Sequence, residues 1–306
     1  MSLSPPPRPA LGISATERET GLGKDTLRVW ERRYGFPQPT RDANGERLYP
    51  AEQVDRLRLI KRLMDQGHRP GRLMAASEED LQALCAPIAA PALPRSADDA
   101  MVRQFLALVK SHDVPQLRSA LSQAMLRQGL QDFIVHSLVA LNEAVGAAWM
   151  NGEFEIFEEH LYTEQVQALL RQAISTLSAR SGSPHVLMTT LTEEQHGLGL
   201  LMAEALLALE GATCVSLGTQ TPLFDIAMAA RSQEADVVAL SFSGAYPSRQ
   251  IAPQLAQLRT MLPEATELWA GGSSVGRLAA QAGIRMLPTL PDALAALADW
   301  RARNGR

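Results

Sequence analysis

A glutamate and a histidine separated by one residue could together form a metal site. They lie in the segment Glu194-Gln-His196-Gly-Leu-Gly199, directly after a short apolar run. A neutral imidazole can coordinate a transition metal through one ring nitrogen while the other donates a hydrogen bond to a carboxylate. Glycines in the segment let backbone pass close to a bulky flat ligand. The pattern predicts a metal ligand at His196, although a histidine in an ordinary surface loop gives the same pattern.

Two later segments could line a ligand pocket. Ser241-Phe-Ser243 and Gly271-Gly272 each follow an apolar run. Small hydroxyl side chains leave room for a ligand and can hydrogen-bond to it, and paired glycines permit close approach of the backbone. Each segment alone is also compatible with ordinary loop structure.

Basic side chains gather in the N-terminal region. Residues 11–75 hold 13 Lys and Arg against 9 Asp and Glu, whereas the rest of the chain holds 16 against 24. The helix predicted over Lys24–Tyr34 has the character of a recognition helix in a major groove, and the turn at Asn44-Gly45 predicts a hairpin. The side chains there that could contact bases or phosphates are Lys24, Thr26, Arg28, Arg32, Arg33, Arg41, Arg47 and Tyr49. A basic module on an acidic body is typical of a DNA reader.

Several predicted modules must position these side chains. A Pro-rich tail at 1–10 precedes a helix–turn–helix, hairpin and helix order over 11–76, which predicts a winged helix-turn-helix, and 77–97 have a linker composition. Four amphipathic stripes over 98–180 predict a four-helix bundle. Over 181–306, apolar runs alternate with helical stretches, which predicts a Rossmann-like open parallel sheet that binds ligands beyond the carboxyl ends of its strands. The predicted strands are His185–Thr190, Thr213–Leu217, Asp236–Leu240 and Thr266–Ala270, and the predicted helices cover 198–210, 222–233, 247–261 and 275–282. The fold class is therefore multidomain, α and α/β.

Composition excludes several classes of protein. The chain has 306 residues, of which 46% are hydrophobic and 20% charged, so it can bury real cores and is not disordered throughout. No apolar run reaches the roughly 18 residues of a membrane helix, and the N-terminus lacks a signal-peptide core. Two cysteines, Cys85 and Cys214, cannot make a disulfide framework or a cysteine metal cluster. We expect a cytoplasmic protein with no membrane partner.

The N-terminal motifs resemble the DNA-binding domain of the MerR family over about residues 11–75. The motifs that carry the resemblance are Thr26-Leu-Arg-Val-Trp-Glu-Arg-Arg-Tyr-Gly35, Pro39-x-Arg41 and Gly45-x-Arg-Leu-Tyr49. Trp30, where many MerR proteins have tyrosine, is similar to the branch whose sensor is a cobalamin-binding module. The resemblance implies binding as a dimer to an inverted repeat in double-stranded operator DNA.

The C-terminal motifs resemble the cobalamin-binding signature of methionine synthase, the base-off mutases and the cobalamin-dependent regulators. Between Gly199 and Ser241 lie 41 residues, and 27 lie between Ser243 and Gly271. The resemblance implies that His196 is the lower axial ligand of cobalt and that Glu194 orients His196. The residues implied to hold the nucleotide tail are Ser241, Ser243, Gly271 and Gly272. Two positions depart from the signature, because Glu194 stands where the enzymes have aspartate and Ser243 stands where leucine is usual.

A tryptophan in the predicted bundle is followed, after nine residues, by Glu159-His160. This resembles the Trp-x9-Glu-His motif of the CarH/LitR type of adenosylcobalamin photoreceptor regulators. The resemblance implies that Trp149 covers the adenosyl group, since an indole offers a flat apolar wall, while Glu159 and His160 hydrogen-bond its polar edges. Methylcobalamin is the alternative cofactor. Some light-sensing relatives carry a second histidine beside the tryptophan, where this chain has Met150.

These resemblances together imply a transcriptional regulator and not an enzyme. We expect a repressor that uses adenosylcobalamin, with light as the signal, to control assembly into dimers or tetramers and thereby operator binding. Two alternatives remain open. The chain could be a corrinoid methyltransferase component or carrier, or a MerR regulator whose C-terminal module only dimerises.

Overall fold

The chain divides into two compact units, one within residues 1–93 and the other within 94–306. A computed structural model describes residues 9–65, 68–84, 97–177, 182–276 and 278–305. Residues 1–8 of the predicted tail and 85–96 of the predicted linker lie outside the described residues. No helix among the described residues is long and apolar enough to cross a membrane.

The N-terminal unit contains five helices and a small sheet among its described residues. Its helices are α1 Ile13–Thr20, α2 Lys24–Tyr34, α3 Ala51–Asp65, α4 Pro70–Ala75 and α5 Glu78–Leu84. Its strands, β1 Leu11–Gly12, β2 Thr40–Arg41 and β3 Arg47–Tyr49, form an antiparallel sheet in the order β1-β3-β2. Helix α2 ends at Gly35, whose φ of 67° places it in the left-handed region that favours glycine. Leu27 and Trp30 bury the inner face of α2 against α3, as the winged helix-turn-helix prediction requires.

Helix α5 occupies a segment that the sequence predicts to be linker. Ser77 and Asp80 cap its first turn, because the Ser77 hydroxyl accepts from the Asp80 N–H (3.1 Å) and donates to the Asp80 carboxylate (2.7 Å). Leu81 is fully buried in the core of the N-terminal unit. The acidic residues at 78–80 therefore open a helix, where negative charge is favourable, instead of marking a linker.

Four helical stretches pack around one core in the first part of the second unit. They are α6 Ala97–Lys110, α7 Val114–Gln128, the run formed by α8 Leu130–Asp132, a π-helical segment Phe133–Leu138 and α9 Val139–Met150, and finally α10 Ile156–Leu177. The residues of the predicted stripes that lie fully in this core include Val109, Leu117, Leu121, Ile134, Leu138, Leu141 and Val166. The same core includes Leu201 and Ala205, so the bundle packs directly on the first helix of the α/β region.

The α/β region is a five-stranded parallel sheet in the order β5-β4-β6-β7-β8. Its strands are β4 His185–Thr189, β5 Thr213–Ser216, β6 Val237–Ser241, β7 Glu267–Gly271 and β8 Ile284–Leu287. Its helices are α11 Leu198–Leu209, α12 Leu223–Ser232, α13 Ser248–Met261 and α14 Leu290–Asn304. Strands β4 and β6 are neighbours at the centre of this order. The connection from β4 runs to β5 on one side and the connection from β6 runs to β7 on the other, so a crevice opens beyond the carboxyl ends of β4 and β6.

Two elements of the sheet region differ from the sequence prediction. Strand β8 was not predicted, because its four residues include a charged one, Arg285, and give no clear apolar run. The helix predicted over 275–282 is wrong, since the described residues there form turns, a bend and an isolated bridge. Gly283, with φ of 72°, turns the chain so that Ile284 can pair with Leu268.

Candidate cofactor and DNA-binding sites

A buried carboxylate holds the predicted metal ligand in place at the mouth of the sheet. Glu194 is 1% exposed, and its Oε1 lies 2.7 Å from Nδ1 of His196. The same oxygen accepts the backbone N–H of His196 at 2.9 Å. The His196 side chain is 62% exposed. The loop therefore fixes the carboxylate inside the protein and presents the imidazole at the surface.

The other oxygen of the carboxylate is held by a residue of the loop that follows β6. Ser243, two residues beyond the end of β6, donates both its backbone N–H and its hydroxyl to Oε2 of Glu194, each at 2.8 Å. Its hydroxyl also lies 3.1 Å from Nδ1 of His196. The Ser243 hydroxyl thus supports the Glu194–His196 pair, and the predicted contact of Ser243 with a nucleotide tail stays a prediction. Its partner was not foreseen because it depends on the neighbouring placement of β4 and β6.

The charge of Glu194 follows from these contacts. Burial raises the pKa of the carboxyl, but hydrogen bonds from His196 and Ser243 outweigh burial and hold it below its usual value. Glu194 is therefore ionised near neutral pH and can accept a hydrogen bond from Nδ1–H of His196. A neutral imidazole that donates through Nδ1 carries its lone pair on Nε2, which is the geometry of a metal-ligating histidine.

Two buried threonines shape the loop that carries this pair. Thr190 donates its hydroxyl to the carbonyl of Glu194 (2.7 Å) and accepts the backbone N–H of Gln220 (2.9 Å). The hydroxyls of Thr189 and Thr221 lie 2.7 Å apart. Sequence reasoning placed Thr189 and Thr190 in a strand without a role. Their position at the end of that strand was the available signal.

The remaining residues predicted to hold a nucleotide tail come together at the ends of β6 and β7. Ser241 and Gly271 are paired across the two strands, and a Cβ added at Gly199 would lie 3.5 Å from the Ser241 hydroxyl. Gly272 has a φ of 107°, and a Cβ there would lie 2.2 Å from the carbonyl oxygen of Phe242. Gly272 is therefore required by the fold itself, whatever ligand lies nearby.

The three predicted cap residues lie on either side of one turn of the bundle. Trp149 is near the end of α9 and is partly buried against the bundle core. Glu159 and His160 lie in the first turns of α10, with His160 Nε2 at 3.6 Å from a Glu159 carboxylate oxygen. Glu159 also accepts the hydroxyl of Thr163 at 2.7 Å. The His160 side chain is 72% exposed, so it is open to a ligand.

A second buried carboxylate, missed by the sequence reasoning, ties down this turn. Glu158 is 1% exposed and contacts Nζ of Lys110 (3.0 Å), Nε2 of His112 (2.9 Å) and the backbone N–H of Glu155 (2.7 Å). Lys110 also donates to the carbonyl of Glu153 at 2.8 Å. We call Lys110, His112 and Glu158 the bundle clasp. Burial raises the pKa of Glu158, but the hydrogen bonds from Glu155, His112 and Lys110 bring it below its usual value. The clasp joins the α6–α7 turn to the start of α10.

The predicted DNA-contacting residues of α2 are mostly exposed. Arg28, Arg32 and Arg33 lie at the surface, whereas Thr26 is half-buried. Lys24 forms an ion pair with Glu17 at 3.6 Å. The exposed arginines can reach nucleic acid without rearrangement of the helix.

The predicted wing residues are held by the protein, and one prediction among them is wrong. Arg41 donates to the carbonyl of Gly45 at the hairpin (2.6 Å), and Nε of Arg47 donates to Glu31 (2.9 Å). Tyr49 is fully buried, so its predicted DNA contact is incorrect. Strand β3 lies between β1 and β2, and its last residue turns inward to the core.

Comparison with known proteins identifies relatives of both units. Residues 11–74 match the family model "MerR HTH family regulatory protein", and residues 101–174 match the model "B12 binding domain". The HTH-type transcriptional repressor CarH of Myxococcus xanthus is 29% identical over 267 residues, which cover 86% of this chain and 88% of the relative. The repressor CarA of the same organism is 29% identical over 257 residues, covering 83% and 84%.

A similar fold is found among solved structures. The monomethylamine corrinoid protein of Methanosarcina barkeri superposes with a TM-score of 0.52 at 14% identity, covering 66% of this chain and all of that protein. At this identity the likeness extends to the fold alone. It matches the predicted arrangement of a helical bundle followed by a parallel sheet.

Proposed function

We propose that this DNA-binding regulator, which joins a MerR helix-turn-helix module to a B12-binding module, is a repressor controlled by adenosylcobalamin and light. The observation that carries the cofactor part of the proposal is the hydrogen-bond network of Glu194, His196 and Ser243. A regulator of this kind acts where the DNA is, so we expect it in the cytoplasm.

The residues at the mouth of the sheet fit a cofactor that brings its own metal. Among the described residues no group of three or more metal-ligating side chains is found. In our proposal the protein supplies one ligand and the cofactor supplies the others. His196 is that ligand in our proposal, and Glu194 and Ser243 keep its Nδ1 occupied. Ser241, Gly199 and the glycine pair at 271–272 would border the nucleotide tail.

The bundle residues supply the upper face of the proposed site. Adenosylcobalamin would bring a cobalt–carbon bond that light can break. The Trp149 indole would cover the nucleoside, and Glu159 and His160 would hydrogen-bond to its polar edges. Methylcobalamin would carry a methyl group in place of the adenosyl group, so it would offer these three side chains no nucleoside to contact, and we propose that they favour the adenosyl form. We propose that they, and not His196, separate the two cofactors.

Control of DNA binding would follow from self-association. The bundle packs on α11, which begins two residues after His196, so contacts at either end of the site can alter the packing between them. Assembly into dimers or tetramers would bring several winged modules to one inverted repeat and raise their effective concentration. A coupling of about 1–3 kcal/mol would change operator occupancy by roughly 5- to 150-fold.

A dark titration of the full chain with adenosylcobalamin tests the cofactor assignment. We expect a base-off, histidine-bound spectrum that His196→Ala abolishes and that the control His185→Ala retains, since His185 lies at the opposite end of β4. An unchanged spectrum in His196→Ala would contradict the ligand assignment. A colourless protein after desalting would favour a C-terminal module that only dimerises.

The light response is tested separately by size-exclusion chromatography. The adenosylcobalamin-loaded chain should elute differently before and after green illumination, and the methylcobalamin-loaded chain serves as the comparison. Identical elution would refute light control and leave a cofactor sensor that works in the dark.

Trp149→Ala should weaken binding of adenosylcobalamin more than binding of methylcobalamin.

Operator binding is tested with arginine variants. Arg28→Ala and Arg32→Ala should weaken binding to a selected duplex, with steep salt dependence in the wild type, because phosphate contacts release counterions. Arg118→Ala, which changes an exposed arginine of the bundle, is the matched control.

Turnover of a methyl donor would instead support the corrinoid-carrier alternative, which gives no role to the N-terminal unit.

A further inference from the structure

One face of α2 carries an apolar side chain in the middle of a charged row. Asp25, Arg28, Val29 and Arg32 are all exposed and follow the i, i+3, i+4, i+7 spacing of a single helix face. Leu27 and Trp30 on the opposite face are buried. The exposed row therefore faces away from the core of the unit, on the side that a DNA groove can approach.

Val29 is unusual in this row. Its side chain is 42% exposed, and no other large apolar side chain is exposed among the described residues of the N-terminal unit. A β-branched residue gains nothing from an exposed position in a helix, because its χ1 freedom is restricted there. Packing within the unit does not account for its exposure.

Arg28, the neighbour of Val29, forms an ion pair on the same face of the helix. Nη1 of Arg28 donates to a carboxylate oxygen of Asp25 at 3.0 Å, one turn earlier on the same face. Asp25 is 93% exposed, so this pair stands out from the helix and not against the protein. The row thus offers a cation, a carboxylate and a methyl-bearing side chain side by side.

The base edges exposed in the major groove offer a partner to each of these three kinds of side chain. Guanine offers two acceptors to arginine, cytosine offers an amino donor to a carboxylate, and thymine alone offers a methyl group. We propose that Val29 is a specificity-determining residue that contacts the C5-methyl group of a thymine next to the base pair met by Arg28. This inference rests on the proposed role of α2 as the recognition helix.

Replacing thymine with deoxyuridine removes only that methyl group, so it tests the proposal directly. Duplexes would first be selected from a random library with the full chain. Each thymine of the selected site would then be replaced in turn. For the wild type we expect one position in each half-site to lose about fourfold in affinity, the value of burying a single methyl-sized group.

The same scan with Val29→Ala should show no loss at that position, because the variant cannot distinguish the two bases. Leu126→Ala removes an apolar side chain that is 79% exposed in the bundle, and it should keep the wild-type profile. A scan with no sensitive thymine, or a loss that persists in Val29→Ala, would overturn the Val29 assignment alone. Failure to enrich any duplex would overturn DNA binding by α2 together with it.

Discussion

Two glutamate–histidine pairs in the second unit use the same chemistry for different purposes. Glu194 and Glu158 are each 1% exposed, and each binds a histidine ring nitrogen, at 2.7 and 2.9 Å, and a backbone N–H. The two pairs differ in their remaining partners. Glu194 takes uncharged donors from Ser243, whereas Glu158 also binds the cation Lys110.

The difference in partners matches a difference in place. His196 projects at the open end of the parallel sheet, where ligands bind. His112 instead contacts the ring of Phe157, with centroids 5.1 Å apart, and its pair closes a turn between helices. A buried carboxylate with a histidine is therefore not a site by itself. Its position in the fold and the partners of its second oxygen decide whether it presents a ligand or joins two elements.

The largest expected contrast comes from removing each histidine. His196→Ala should lower cobalamin affinity by about 100-fold or more, since outer-shell partners alone are typically worth 10–100-fold. His112→Ala should leave that affinity nearly unchanged, because His112 belongs to the bundle clasp. Equilibrium titrations in the dark measure both. Equal losses in the two variants would show that the clasp is also part of the cofactor site.

The two carboxylates should separate affinity from stability. Glu194→Gln should lower cobalamin affinity by about 10- to 100-fold, because an amide cannot hold His196 in the same protonation state so strongly. We expect spectra of the bound state to show a weaker histidine–cobalt interaction. Glu158→Gln should bind the cofactor with near wild-type affinity once it is folded. A reversal of these two results would exchange the roles assigned to the pairs.

Glu158→Gln should mainly lower the free energy of unfolding, by about 2 kcal/mol, the scale of a hydrogen bond to a charged group. Because folding lowers the pKa of Glu158, its stabilising effect is present above the usual carboxyl pKa of 4.5 and is lost as pH falls through the folded value. Urea unfolding of both proteins from pH 7 to pH 3 should therefore show their difference shrinking toward acid. A difference independent of pH would contradict an ionised clasp.

Ser243→Ala should give the smallest effect. It removes the hydroxyl donor to Glu194 but keeps the backbone N–H at 2.8 Å, so cobalamin affinity should fall only about fivefold, close to the net value of one hydrogen bond. Ser241→Ala is the matched variant at the end of the same strand. The readout is the absorption band of the histidine-bound cofactor, which Ser243→Ala should shift. If Ser241→Ala shifts this band and Ser243→Ala does not, the assignment of Ser243 to the Glu194 network is wrong.

Much of the sheet and its ligand residues could be predicted from the sequence. Glu194 and His196 are two positions apart, and their location after an apolar run follows from short-range patterns alone. The four predicted strands depend on local periodicity, and their ends match the structure to within about a residue. The bundle stripes depend on it too, and many of their residues lie in the bundle core.

What the sequence did not predict depends on tertiary packing. The partners of Glu158 lie 46 and 48 positions earlier in the chain, so no local pattern links them. The Ser243 hydroxyl contacts Glu194, which lies 49 positions earlier in the chain. Tyr49 was predicted to contact DNA because it flanks the hairpin tip, and only its full burial in the folded unit shows that it faces inward.

The π-helical segment at Phe133–Leu138 has a consequence for Trp149. There the Val139 N–H points to the carbonyl of Ile134, five residues back, so the helix holds one more residue than a regular α-turn would. Deleting one residue within the segment would let the helix tighten there, and the Trp149 indole would keep its direction around the helix axis. Deleting one residue after Val139 would swing the indole by about 100° around the axis. The extra residue in the wide turn therefore determines the direction in which Trp149 points, eleven residues after the segment ends.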